Sequence, residues 1–156
     1  MKFGFIKVMA ASPKLKVGDT AYNLESAREC IDEAERVGAN LLVFPELHLT
    51  AYTCGDLFYS DTLLDGALEA LEALRDYTSG KRCMAVIGVP VRTGGKLYNC
   101  AAVIQNGLVM ITQIPKFFTP SANRLPLSDN PFKICSPADS GTASVYRFTS
   151  LIFNVT

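Results

Sequence analysis

A chain of 156 residues, 49% of them hydrophobic and with fifteen basic residues balanced by fifteen acidic ones, has enough apolar material for one packed core. No run of like charge marks a footprint for nucleic acid or an anionic membrane, so the partners implied are small molecules or protein. Cys30, Cys54, Cys83, Cys100 and Cys135 are widely spaced, form no C-x-x-C pair and are joined by one histidine, His48. That distribution argues against a disulfide framework or a metal site and for a reducing, cytoplasmic setting.

The opening "MKFGFIKVMAAS" alternates over residues 3–10 as a strand does, and Lys7 interrupts an apolar stretch already too short to span a bilayer or to read as a secretory signal. Asp19 or Thr20 caps a helix whose apolar positions Leu24, Ala27, Ile31, Ala34 and Val37 share one face, with Gly38 closing it. "LLVF" is the short continuous apolar run of a strand buried on both sides. Ser60 caps a second helix that turns Leu63, Leu64, Ala67, Leu68, Leu71 and Leu74 inward and stops at Gly80. Three strands follow, over about 84–89, 97–105 and 108–114, and "RTGGK" and "QNGL" join them as hairpin turns because Gly and Asn accept positive φ. Helices early and hairpins late predict an α/β protein with a mixed sheet and helices on one face. Cys30, Cys83 and Cys100 fall on these patterns as small core residues.

After Pro120 the periodic apolar pattern gives way to Pro, Ser and Asn for more than twenty residues, too long for a structureless loop inside a compact domain. Residues 1–120 and 121–156 are therefore read as separate regions, the second as a divergent tail, disordered or frame-shifted. "RTGGK" lacks the spacing of a phosphate-binding P-loop.

The chemistry-bearing stretch is "LLVFPELHLTAYTCGDLF", residues 41–58, where an apolar strand runs into Pro45 and then Glu46. Ligands of α/β sheets bind outside the carboxyl ends of strands, which is where Glu46 stands. Lys116 repeats the arrangement after "ITQIP": apolar strand, proline, one charged residue. A carboxylate and an ammonium meeting at one sheet rim can accept a proton from a nucleophile and stabilise an oxyanion. His48 and Cys54 lie in the same loop but have no orienting acid, so they are read as independent loop residues, and Asp56 as a turn or capping residue.

"FPELHLTAYTCGDLF" followed by "GVPVRTGGKLYNCAAVIQNGLVMITQIPK" resembles the amino-terminal half of a nitrilase-superfamily (carbon-nitrogen hydrolase) domain, and "TCGDLF" resembles in particular the glutaminase domains of glutamine-dependent NAD+ synthetases. The resemblance implies part of an αββα sandwich that assembles with further copies, with a Glu, Lys and Cys triad acting on glutamine. It assigns the general base to Glu46, the stabilising lysine to Lys116 and a place in the glutamine pocket to Tyr52. The family's ammonia passes to a synthetase domain that uses ATP and Mg to amidate deamido-NAD; no such domain, and so no cofactor, is expected within these residues.

Two features depart from the family pattern. The nucleophile is expected several dozen residues beyond the lysine in a G-x-x-x-C-x-D setting, whereas Cys135 follows Lys116 by nineteen residues in "KICSP". The stretch like "PNYxEFYE" is replaced by "TPSANRLPLSD", and no glutamate occurs after Glu72. The expectation is a glutaminase domain inactive as this isolated chain. The alternatives are a non-catalytic remnant acting as an interaction module and a free-standing amidase.

Overall fold

The computed structural model describes residues 5–113 and the strand residues 133–135. One six-stranded sheet runs in sequence order: β1 (Val8–Ala10), β2 (Leu41–Val43), β3 (Met84–Thr93), β4 (Lys96–Gln105), β5 (Leu108–Gln113) and β6 (Lys133–Cys135). β1, β2 and β3 are parallel, β3 to β5 form two antiparallel pairs, and β6 returns parallel to β5. Helix α1 (Thr20–Val37) connects β1 to β2, and α2 (Asp61–Tyr77), preceded by a 3-10 turn over Gly55–Tyr59, connects β2 to β3.

Both helices cover one face. Ala27, Ile31 and Ala34 from α1 and Ala67, Leu71 and Leu74 from α2 pack onto Ala85, Ile87 and Val89 of β3 and Cys100, Ala102 and Ile104 of β4. The period-2 alternation of a strand puts Val86, Gly88 and Pro90 of β3 and Leu97, Asn99 and Ala101 of β4 on the opposite face. No helix among the described residues is long and apolar enough to cross a membrane.

Local signals account for most boundaries. The Asp19 carboxylate accepts a hydrogen bond from Tyr22 N–H at 2.9 Å and caps α1, which Gly38 closes in the left-handed conformation at φ 69°. Thr93 pairs with Lys96 across Gly94–Gly95, and Gln105 with Leu108 across Asn106–Gly107, with all four turn residues at positive φ, as two-residue hairpins require. Leu63, Leu64, Ala67, Leu71 and Leu74 are buried as expected, with Leu68 partly so.

Four expectations are corrected. β1 spans only Val8–Ala10 among the described residues instead of starting at residue 3. Ser60 holds the N-cap position of α2 but makes no side-chain cap bond. That helix ends at Tyr77, short of Gly80, because Thr78 caps it; the Thr78 hydroxyl donates to Arg75 C=O at 2.8 Å. β3 runs to Thr93, straight through Pro90. Met84 N–H, Val86 C=O and Gly88 C=O all face β2 or its following loop, so position 90 also points that way, past the end of β2, and the proline's missing donor interrupts no ladder bond.

Asp19→Ala should cost about 1 kcal/mol of folding free energy, and Ser60→Ala clearly less, since only the first removes a cap bond; urea denaturation of the two variants side by side gives the comparison.

Candidate active site

The loop after β2 carries the acid that the sequence singles out. Phe44 N–H donates to Val86 C=O at 2.9 Å, extending the parallel ladder. In a regular ladder residue 46 would next donate to Gly88 C=O; instead Leu49 does, at 3.4 Å, so three extra residues bulge from the strand. The bulge lies against the face of β3 away from the helices. A Cβ on Gly88 would fall 2.2 Å from Leu47 N and 2.8 Å from Pro45 O, so only glycine lets the two backbones approach. Leu47 and Ala51 adopt positive φ of 51° and 63°, a conformation costing about 1–2 kcal/mol per non-glycine residue.

Polar groups hold the loop from inside. Buried Asn23 of α1 donates to Leu49 C=O at 3.2 Å and to Lys16 C=O at 2.9 Å, and accepts from Lys16 N–H at 2.9 Å. Gly18 N–H donates to Thr50 C=O at 2.9 Å. The Thr50 hydroxyl reaches Leu47 and Ala51 C=O, and the buried Cys54 thiol donates to Thr50 C=O at 2.9 Å. Cys54 is thus a structural thiol, and His48 is not its partner: the imidazole is fully buried, 4.6 Å from the Phe44 ring, and neither ring nitrogen is hydrogen-bonded. Burial pushes the His48 pKa down to about 4, only partly opposed by the backbone at Asn23.

Glu46 is half-buried on the bulge, and its Oε1 accepts a hydrogen bond from Asn99 Nδ2 of β4. No ion pair or hydrogen bond to Oε2 occurs among the described residues, which leaves one carboxylate oxygen able to take a proton. Tyr52, six residues on, is 67% exposed. Lys116 lies outside the described residues, as does the Cys135 side chain, so the expected meeting of Glu46 with Lys116 does too. Asn99 was missed by sequence reasoning. Its signal is a primary amide inside the otherwise apolar "LYNCAAVI".

A mixed sheet with helices on one face defines an α/β protein, and the acid lifted from the strand rim makes the carboxyl end of β2 its candidate site. The carbon-nitrogen hydrolase family model matches residues 7–113, and the chain belongs to that family. It is 37% identical over 122 residues to the glutamine-dependent NAD(+) synthetase of Mycobacterium tuberculosis, a match covering 76% of this chain and 17% of that protein. The crystal structure of a glutamine-dependent NAD(+) synthetase from Cytophaga hutchinsonii superposes with a TM-score of 0.65 at 28% identity, over 69% of this chain and 18% of the other. An amidase from Nesterenkonia sp. shares the fold, with a TM-score of 0.62 at 18% identity over 81% of this chain and 52% of the other. The chain therefore spans under a fifth of the length of the Mycobacterium tuberculosis relative.

Gly88→Ala should destabilise the protein by about 1–3 kcal/mol through overpacking against backbone, and Gly66→Ala, whose added methyl meets only the movable Thr20 side chain, should cost far less. Denaturant titration of both checks this. For His48, the folded pKa lies below the unfolded 6.5, so its contribution is complete above pH 6.5 and is lost as pH falls toward 4. The loss is about 3 kcal/mol. His48→Phe should flatten the stability profile between pH 6.5 and 4, measured by urea midpoints across that range.

Proposed function

We propose that this chain is the amino-terminal part of a glutamine-hydrolysing carbon-nitrogen hydrolase domain, and that the ammonia it helps release serves the ATP-dependent amidation of deamido-NAD to NAD+ in the cytoplasm. The observation that carries the reading is the bulge over Gly88, on which the Glu46 carboxylate stands at the sheet rim with one oxygen unpaired among the described residues. The name of the Mycobacterium tuberculosis relative supplies the substrate class.

In this reading Glu46 takes the proton of a cysteine thiol, and the thiolate attacks the carboxamide carbon of glutamine. Lys116 stabilises the charge that develops on the carbonyl oxygen. The C–N bond breaks, the nitrogen leaves as ammonia with the proton returned by Glu46, and a water activated by the same carboxylate cleaves the thioester to glutamate. Tyr52 lines the glutamine pocket. In this reading ATP and Mg belong to the synthetase reaction.

The thiol is the component that residues 1–156 lack in the family's setting, since Cys135 has neither the spacing nor the flanking residues. Triad members act as a unit, so its loss removes most of the rate. The 156-residue chain on its own should therefore release no ammonia from glutamine above background. The assay is run beside Glu46→Ala and Cys135→Ala. Turnover that survives purification and vanishes in both variants would overturn the inactivity and make Cys135 the nucleophile.

A further inference from the structure

We infer that Asn99 is the positioning residue for the Glu46 carboxylate, holding it on the bulge as an aimed acceptor; this rests on the reading of Glu46 as the proton-accepting group. The strand sets the geometry. Asn99 occupies the face of β4 opposite the helices, where Leu97, Ala101 and Val103 are apolar. A primary amide in such a row is costly unless hydrogen-bonded, and the strand pair offers it no partner. Its cross-strand neighbour is Pro90, which has no N–H, and the flanking positions of β3 on that face are Gly88, which has no side chain, and Arg92, whose guanidinium is paired with Asp61. Among the described residues the one hydrogen bond of the Asn99 side chain goes from Nδ2 to Glu46 Oε1, and its buried Oδ1 has no partner there.

This pattern locks the amide. Turning it over would bring Oδ1 against the carboxylate oxygen, two acceptors facing each other, with nothing gained for Nδ2. The donor therefore stays on Glu46. An amide also suits the task better than a cation at the same place: it directs one carboxylate oxygen without a full charge that would compete for the proton the base must accept. Glu46 stands on a turn and has three side-chain torsions of its own. A second group on a rigid strand restricts them, and bases work only within a narrow geometry. Gly88 and Asn99 thus divide the work, the first seating the backbone of the bulge and the second the head of its acid.

The test is side-chain NMR on the 156-residue chain, in which turnover plays no part. In the wild type the Glu46 Cγ methylene should be ordered, with an order parameter of about 0.8, and in Asn99→Leu it should fall below about 0.6 while the backbone amides of residues 44–51 keep their shifts. The Asn99 Nδ2 resonances, identified by their loss in Asn99→Leu, should move in Glu46→Ala. Asn99→Ser, too short to reach the carboxylate, serves if the leucine variant does not fold. An order parameter unchanged by loss of the amide, or Asn99 resonances indifferent to Glu46→Ala, would overturn the assignment. The ammonia-release assay bears on whether the isolated chain turns over, and the NMR readout does not depend on turnover, so failure of one measurement is not failure of the other.

Discussion

The missing side chain at position 88 is the constraint on which the rest of the site depends. β2 is three residues long, and beyond it the chain must stay against β3 while expelling three residues from the ladder. That is feasible only where β3 presents bare backbone to Pro45, Glu46 and Leu47. Once the bulge is seated, Leu47 can hold a left-handed conformation, Leu49 can re-enter the ladder and drop into the core, and the carboxylate of Glu46 is left on the opposite face. Hydrophobic burial on one side of the sheet thereby fixes a polar group on the other.

The interior of the same loop is held by neutral polar groups. Asn23, Thr50 and Cys54 satisfy backbone carbonyls from within, and none of them brings a charge into the core. His48 follows that rule only while it is deprotonated, since burial strips the cation of its water and the backbone at Asn23 makes up only part of the loss. One cluster of charges lies at the far end of the helices. There Asp32 meets Lys81 and the Tyr77 hydroxyl, which hold its carboxyl below the usual range, and Glu35 accepts from the backbone N–H groups of Arg82 and Cys83 where β3 begins.

Elements governed by neighbours in sequence were legible before the fold was known. Asp19, Gly38, Gly94–Gly95 and Asn106–Gly107 announce their roles through local conformational preference alone, and the leucine spacing of α2 gives its buried face. What escaped depends on partners far along the chain. The strand expected over about 84–89 continues through Pro90 because β2 ends before it. Pro45 marks an exit from the sheet, but the re-entry at Leu49 follows from the backbone of Gly88 and from no local pattern. Glu46 stands out in the sequence by its place after a strand, whereas nothing local distinguishes Asn99, because its partner lies 53 positions away.

Those separations give the site a birth order. The acid is synthesised first, the glycine that seats it 42 residues later, and the amide that holds it 53 residues later. At about 5–20 residues per second on the ribosome, roughly 3–10 s pass between the first and the last. During that interval Pro45–Ala51 has no surface to bulge over, and its Leu47, His48 and Leu49 side chains have no strand to rest on. A nascent chain must therefore carry this apolar, acid-bearing segment unfolded past the exit tunnel, and the segment becomes a site only when β3 and β4 arrive as a hairpin and close on it together.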